Sequence, residues 1–194
     1  EHHQELAAIL VEPVQSSQLN LQPKAFLQEL RQITKDSQIA LIFDEMVTGF
    51  RIHPGGAQAW FEVEADIVTY GKVVGGGLPI GINAEKAQYS DAIDCGMWNY
   101  GDLSSPKTKT TIFAGTHCKH PLAIASAKAI LEHLKVQGAT LQQELNDRTS
   151  KFVNTLNNYF EVEELPIYLT SFGSLFGPYT EEEDFNEPSE KESE

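Results

Sequence analysis

The chain has 194 residues, of which 41% are hydrophobic and 22% are charged, so it can bury one sizeable core and part of a second. Its formal net charge is −14, and half of that charge lies in residues 181–194, which hold eight acids and one lysine. The mildly acidic body argues against a nucleic-acid surface, and no apolar stretch approaches the roughly 20 residues of a membrane span.

The cysteines indicate the cellular compartment, and the chain ends indicate whether the sequence is part of a larger protein. Cys95 and Cys118 are too few and too far apart for a disulfide framework, so we expect reduced thiols in a cytoplasmic protein. The sequence begins at Glu1 rather than Met, and the strand-like residues 167–176 have no later partner before the acidic tail. We therefore expect a piece of a larger protein.

The first elements in chain order predict a βαβ unit. Residues 6–11 are all apolar, which is typical of a strand buried on both faces, and Pro13 ends this strand. A helix begins at Pro23. Its predicted apolar face consists of three residues at helical spacing, Phe26, Leu30 and Ile33. The short apolar run 39–43 follows, and a strand, a helix and a buried strand in this order predict a parallel sheet covered by helices.

The next elements are shorter. Residues 44–54 form a predicted loop, 57–61 one helical turn and 67–70 another strand. Residues 91–106 are rich in Gly, Trp, Tyr and Asn, which predicts a surface loop, and such loops often form the walls of a site. Two of its aromatic residues are predicted pocket walls, Trp98 and Tyr100. Trp60, in contrast, is predicted to lie in the core.

Two helices are predicted after this loop. The first begins at Pro121 and ends at Gly138, and the second covers residues 141–160. The apolar face of the first has four members, Ala123, Ala127, Ile130 and Leu134. A domain boundary is predicted near residues 136–139, and the acidic tail 181–194 is predicted to be a solvated linker.

Lys72 is the first candidate for chemistry. It follows a predicted buried strand and precedes three glycines, Gly75, Gly76 and Gly77. Glycine lets a backbone approach a ligand closely, and a partly desolvated lysine has a lowered pKa that makes it a nucleophile toward carbonyls. The pattern fits a Schiff-base lysine or a structural lysine, but neither a Walker loop nor a GxGxxG loop.

Asp44 is the second candidate, because it ends an apolar run beside Glu45. Ligands of parallel α/β sheets bind beyond the carboxyl ends of the strands. An aspartate there can be a metal ligand, a general base, a counter-ion to a cationic ring nitrogen, or a loop cap. Asp44 and Lys72 together are more specific, because a pyridoxal cofactor needs a lysine for its aldehyde and a carboxylate for its ring nitrogen.

A metal or thiol site near residue 118 is disfavoured. His117, Cys118 and His120 suggest zinc, but adjacent His and Cys side chains do not easily share one tetrahedral centre, and no second cysteine pair exists. A Cys–His nucleophile pair lacks a third member.

Four motifs, in this order, resemble the class III pyridoxal-phosphate aminotransferases. They are VEPVQ (11–15), FDEMVTGFR (43–51), TYGKVVGGGLPIG (69–81) and FAGTHCKHPLA (113–123). The subgroup most similar is that of glutamate-1-semialdehyde aminomutase. GMWNYGD (96–102) followed by the fourth motif resembles more narrowly the aminotransferase domains of hybrid polyketide/nonribosomal peptide synthetases.

The resemblance implies an α/β architecture of fold type I, with a mostly parallel sheet in a large domain and a smaller C-terminal domain. Residues 1–137 would be the C-terminal part of the large cofactor-binding domain. Residues 138–180 would begin the small domain, and 181–194 would be an acidic linker or truncated end. The family's phosphate loop and its substrate-carboxylate arginine would lie outside these residues.

The resemblance also assigns site residues around pyridoxal 5′-phosphate. Lys72 would hold the cofactor aldehyde and move the proton between the substrate α-carbon and the cofactor. Asp44 would pair with the pyridine nitrogen, and Met46 would lie against the ring face. Glu12 would support the Asp44 region. Thr116 would bind the cofactor phosphate of the neighbouring subunit, across the interface of a homodimer.

Two departures from the family pattern suggest an unusual acceptor. Residues 16–18 lack the glutamate switch of some relatives, and HCKH at 117–120 replaces a commoner run of small residues and Asn. The resemblance implies transfer of an amino group from an amino donor to a keto group of an acyl chain bound to an acyl carrier protein. A glutamate-1-semialdehyde-type 2,1-aminomutase and a catalytically inert truncated chain are the alternatives.

Overall fold

The computed structural model describes residues 5–94, 101, 103–104, 115 and 118–179. The described residues form six strands: β1 (Ala8–Val11), β2 (Ala40–Asp44), β3 (Ile67–Tyr70), β4 (Ile82–Glu85), β5 (Tyr168–Phe172) and β6 (Leu175–Tyr179). They also form five α-helices: α1 (Lys24–Asp36), α2 (Gly56–Phe61), α3 (Ala87–Asp94), α4 (Pro121–Gln137) and α5 (Ala139–Val162). A short 3₁₀ helix, Lys72–Gly75, follows β3.

The larger sheet has the order β1-β2-β3-β4. The first three strands are parallel, and β4 is antiparallel to β3. This arrangement confirms the predicted α/β class and the βαβ unit built from β1, α1 and β2. The strand β1 alternates between exposed and half-buried residues, so the prediction that it is buried on both faces is wrong. Among the described strands it has a neighbour on one side only.

Two elements were missing from the sequence prediction, β4 and α3. The strand β4 is largely exposed and carries no continuous apolar run, because it is the other edge strand of the described sheet. Residues 91–94 end α3 and do not belong to the predicted surface loop. The C-terminal hairpin of β5 and β6 also replaces the single strand-like run predicted at 167–176.

The buried face of α1 differs from the predicted one. Leu27 and Thr34 are fully buried, whereas Phe26 and Ile33 are 54% and 51% exposed. Positions 27, 30 and 34 lie along one stripe of the helix, at spacings of three and four residues, and this stripe faces the sheet. Leu30 is the predicted residue that does pack against the core.

Trp60 is 47% exposed, so its predicted core position is wrong. The helix α2 is so short that one stripe reaches the core, and Ala57 and Phe61 occupy it. Phe172 of β5 stacks on Phe61 with ring centroids 5.9 Å apart, and it meets Trp60 edge-on at 6.4 Å. The C-terminal hairpin therefore shares its core with the four-stranded sheet.

The two long helices meet at Gly138, which has a φ of 63°. The helix α4 ends there as predicted, and the predicted alanine face is confirmed at Ala123 and Ala127, which are buried. The domain division proposed at residues 137 and 138 stays a prediction. Within the described ranges, none of the helices is long and apolar enough to cross a membrane. The cytoplasmic location also stays a prediction.

Candidate functional site

The carboxyl ends of β2 and β3 form the candidate site. Asp44 is the last residue of β2, and its register partner on β3 is Thr69. Lys72 begins the 3₁₀ helix three residues later. Because β2 and β3 are parallel, these ends meet at one edge of the sheet, where ligands of such sheets bind. The fold thus brings both predicted residues, Asp44 and Lys72, to the same edge.

The Asp44 carboxylate is half-buried and oriented by two hydrogen bonds. The Met46 amide donates to its Oδ1 at 3.0 Å, and the Thr69 hydroxyl donates to the same oxygen at 3.1 Å. Among the described residues, Oδ2 accepts no hydrogen bond from the protein. The chain therefore fixes one oxygen and leaves the other available to a ligand.

The Met46 side chain packs against the residue that precedes the 3₁₀ helix. Its thioether packs against Gly71, and a Cβ at Gly71 would overlap both the Met46 side chain and, at 3.0 Å, the Ile80 carbonyl. Only a glycine allows this approach, directly before Lys72. Met46 therefore packs beside the residue that precedes Lys72, and its place against a cofactor ring stays a prediction.

Lys72 has an unusual backbone, with a φ of 38°. A positive φ is uncommon and strained for a residue other than glycine, and such strain often accompanies functional sites. Its side chain is exposed, so the desolvation expected of it is not provided by the described residues. The 3₁₀ helix itself is held from α4, where the Ser126 hydroxyl donates to the Gly75 carbonyl at 2.8 Å.

The other predicted site residues are placed in part. The Glu12 carboxylate accepts a hydrogen bond from the Ser16 amide at 3.3 Å, so its recorded contact is local and its support of Asp44 stays a prediction. Three predicted residues lie outside the described ones, Thr116, Trp98 and Tyr100. Among the described residues, no group of His, Cys, Asp and Glu is arranged to hold a metal ion.

Glu45 is a buried polar residue to which sequence reasoning gave no role. It is 1% exposed. Burial raises the pKa of its carboxyl group, and this effect is larger than that of the hydrogen bonds, which lower the pKa. Those hydrogen bonds come from the Ala57 amide at 2.6 Å, the Gln58 amide at 3.0 Å and the Thr48 hydroxyl at 3.1 Å. The signal in the sequence was an acid beside Asp44 and a glycine pair at 55–56, where α2 begins.

A groove of about 1070 Å³ lies apart from these residues. It opens between the segment 79–83 and α4, beside Cys118 and His120. Its lining is mostly apolar and includes neither Asp44 nor Lys72. This groove is therefore separate from the candidate site at the edge of the sheet.

The chain was compared with known proteins. The family model for class-III aminotransferases matches residues 1–190. Glutamate-1-semialdehyde 2,1-aminomutase of Desulfovibrio desulfuricans is 35% identical over 184 residues, which are 93% of this chain and 40% of that protein. The chain thus spans about two fifths of the length of this relative.

Solved structures agree with the family match. An omega-transaminase from Sphaerobacter thermophilus superposes with a TM-score of 0.77 and 28% identity, covering 92% of this chain and 38% of that one. A transaminase with PLP bound superposes with a TM-score of 0.77 and 25% identity, covering 91% and 39%. These similarities confirm the predicted fold type I architecture for the part that the chain covers. The chain belongs to the class-III aminotransferase family.

Proposed function

We propose that this chain forms part of an enzyme that transfers an amino group with the help of pyridoxal 5′-phosphate. The observation that carries the proposal is the position of Asp44 and Lys72 at the same edge of the sheet, where two adjacent parallel strands end. Membership of the class-III aminotransferase family and the similarity to a transaminase with PLP bound support it.

The residues at this edge fit the cofactor. Asp44 Oδ2 is available to accept a hydrogen bond from a protonated ring nitrogen, and the surface of Met46 over Gly71 can lie against a flat ring. Lys72 would hold the cofactor through its aldehyde. When bound, the cofactor supplies an electron sink for charge that develops at the substrate α-carbon. Once the substrate amine has displaced it from the aldehyde carbon, the Lys72 amine would take the proton from the α-carbon, and Asp44 would keep a negative charge beside the ring nitrogen.

The remaining contacts come from the resemblance alone. Thr116 would bind the cofactor phosphate from the neighbouring subunit of a homodimer, and Glu12 would support the region of Asp44. Trp98 and Tyr100 would form walls of the substrate pocket.

Two acceptors remain as candidates. The first is a keto group of an acyl chain bound as a thioester to an acyl carrier protein, in polyketide/nonribosomal peptide biosynthesis. The motif at 96–102 and the unusual run at 117–120 support it. The second is glutamate 1-semialdehyde, whose amino group would move within one substrate. The name of the Desulfovibrio desulfuricans relative supports this second candidate.

The two acceptors can be separated with the whole protein loaded with pyridoxal 5′-phosphate. One reaction contains a carrier-bound 3-ketoacyl thioester with an amino-acid donor, and the other contains glutamate 1-semialdehyde alone. We expect an amine on the carrier-bound chain, detected by mass spectrometry of the carrier protein. Formation of 5-aminolevulinate with an unmodified carrier would instead establish the aminomutase.

The role of Lys72 is tested by Lys72→Ala. We expect the variant to lose the borohydride-reducible cofactor adduct completely, because the amine that bonds to the aldehyde is gone. Lys24→Ala is the matched control, since Lys24 pairs with Glu62 on the exposed surface of α1. An adduct that persists in Lys72→Ala and maps to another lysine would contradict the assignment. An inert chain would form no adduct even in the wild type.

A further inference from the structure

Glu45 holds together the two ends of the segment 45–58. Its Oε2 accepts hydrogen bonds from the Ala57 amide at 2.6 Å and the Thr48 hydroxyl at 3.1 Å. Its Oε1 accepts a hydrogen bond from the Gln58 amide at 3.0 Å. The carboxylate therefore binds the first amides of α2, twelve and thirteen residues later in the chain.

The backbone around Glu45 is fitted to the carboxylate. Gly56 has a φ of +71°, and a Cβ there would overlap the Glu45 carboxylate oxygens. On the opposite side, a Cβ at Gly49 would come within 2.7 Å of the Glu45 carbonyl and 2.6 Å of the Tyr70 ring. The side chain and the main chain of Glu45 are thus each packed against a glycine. The site leaves little room for Glu45 to move.

Hydrogen bonds connect Glu45 and the segment that follows it with the candidate cofactor site. The Glu45 amide donates to the Thr69 carbonyl at 3.0 Å, which extends the pairing of β2 with β3 by one residue. The next amide, that of Met46, is the one that donates to Asp44 Oδ1. At the far end of the segment, the Gln58 side chain donates to the Tyr70 hydroxyl at 3.0 Å. Tyr70 comes two residues before Lys72.

We propose that Glu45 is a positioning residue for Asp44. By joining the start of the segment 45–58 to the first turn of α2, it keeps the Met46 amide on Asp44 Oδ1 and so keeps Oδ2 available to the ring nitrogen of the cofactor. This inference rests on the proposed function, because it assumes a cofactor with a ring nitrogen at Asp44. Glu45 is 1% exposed, so it acts through Met46 and Asp44.

The first test compares two cofactors that differ at one atom. Glu45→Gln keeps the side-chain volume but replaces one acceptor oxygen by an NH₂ group, so at least one of the amides of Ala57 and Gln58 then faces a donor. Affinities are measured for pyridoxal 5′-phosphate and for its 1-deaza analogue, in which carbon replaces the ring nitrogen. We expect the preference for the natural cofactor to fall by about tenfold, the size of one hydrogen bond to a charged group.

Two further variants make the comparison specific. Gly56→Ala displaces the Glu45 carboxylate without removing it, so we expect the same loss of preference. Asp66→Asn removes another buried carboxylate, which pairs with Arg31 and Lys86 and accepts a hydrogen bond from the Leu41 amide near the start of β2. A merely structural role of Glu45 predicts that all three variants weaken both cofactors equally. An unchanged preference in Glu45→Gln would overturn the inference.

The second test needs no cofactor. Hydrogen exchange is measured at the amides of Met46, Ala57 and Gln58 in the cofactor-free protein. We expect Glu45→Gln to accelerate exchange at all three, with Asp66→Asn leaving Met46 protected. A protected Met46 amide in Glu45→Gln would also overturn the inference. If the wild type forms no adduct at Lys72, the proposed function fails, and the exchange at Met46 still decides whether Glu45 positions Asp44.

Discussion

At the scale of single residues, Asp44 shows how the chain prepares a charge for a ligand. Hydrogen bonds from Met46 and Thr69 both reach Oδ1, so the carboxylate cannot rotate freely. A fixed carboxylate needs no reorganisation when charge develops at a bound ring, and such preorganised electrostatics is a large term in catalysis. The orientation of Asp44 thus matters as much as its charge.

Asp44→Asn separates the charge from the orientation. The amide oxygen of Asn can still accept both hydrogen bonds, but the negative charge beside the ring nitrogen is lost. We expect the rate of amino transfer in a single turnover to fall by about 100-fold or more, with the Lys72 adduct still formed. The measurement is stopped-flow absorbance of the cofactor after mixing with an amino donor.

Asp36→Asn is the matched control for this variant. Asp36 ends α1 and accepts hydrogen bonds from Gln32 on the exposed surface, so its variant should transfer at the wild-type rate. A wild-type rate in Asp44→Asn would show that Asp44 does not act on the ring nitrogen.

The sequence predicted which residues reach the edge, but not how they are held there. Asp44 and Lys72 each follow an apolar run, and the ends of parallel strands meet, so their meeting was predictable. The contacts of Glu45 depend on amides twelve and thirteen residues away. The sequence placed the start of that short helix within one residue, but no pattern along the chain indicates that the acid reaches it. The exposure of Lys72 depends on what surrounds it in space, and spacing along the chain carries no such information.

At the scale of elements, the C-terminal hairpin is attached to the site through α2 and α5. The Gln142 side chain on α5 donates to the Phe50 carbonyl at 3.2 Å, and Asn146 donates to the Ile52 carbonyl at 3.0 Å. Phe172 on β5 stacks on Phe61 of α2, whose first amides bind Glu45. The segment 45–58, which directly follows Asp44, is therefore supported from the sheet on one side and from α5 and β5 on the other.

Phe172→Ala tests this attachment. Phe172 is 2% exposed, and removing its ring leaves a cavity beside Phe61, so we expect the free energy of unfolding to fall by about 3–5 kcal/mol. Phe176→Ala on the same hairpin is the matched control. Because Phe176 is 51% exposed, this substitution should lower the free energy of unfolding much less. Urea unfolding followed by tryptophan fluorescence measures both. Equal losses in the two variants would mean that the hairpin is not anchored through Phe172.

Elements were predicted well where the sequence pattern and the burial agree. The parallel strands and the ends of α4 follow from apolar runs, Pro121 and Gly138. The face of α1 was wrong because apolar residues occupy more than one side of it, and the sheet selects the stripe containing Leu27 and the polar Thr34. The edge strand β4 was missed because a largely exposed strand needs no apolar pattern.

At the scale of the whole molecule, Asp66 links several elements. Its Oδ2 accepts hydrogen bonds from Arg31 of α1 at 2.7 Å and from the Leu41 amide of β2 at 2.9 Å, and its Oδ1 accepts one from Lys86 at 2.8 Å. Burial alone would raise the pKa of Asp66, but the hydrogen bonds from Leu41, Lys86 and Arg31 outweigh it and lower the pKa to about 2. This network could not be predicted from the sequence, because its members come from four separate segments.

The lowered pKa of Asp66 makes the free energy of unfolding depend on pH. A carboxyl whose pKa is lower in the folded protein stabilises the fold fully above its unfolded pKa of 3.8, and this stabilisation is lost as the pH falls through about 2. We expect Asp66→Asn to lower the free energy of unfolding by about 2 kcal/mol at pH 6. The difference between the variant and the wild type should shrink by about half at pH 3, because Asp66 of the unfolded wild type, with a pKa of 3.8, then takes up a proton while Asp66 of the folded wild type stays charged.

Urea unfolding at several pH values measures this difference, and comparison of two proteins cancels the titration of the other carboxylates. Glu62→Gln is the control, because Glu62 forms an exposed pair with Lys24, and exposed pairs contribute little to stability. Its unfolding should stay close to that of the wild type at every pH. A difference for Asp66→Asn that stays constant from pH 6 to pH 3 would show that the charge of Asp66 is not what joins α1, β2 and Lys86, and that packing alone holds these elements together.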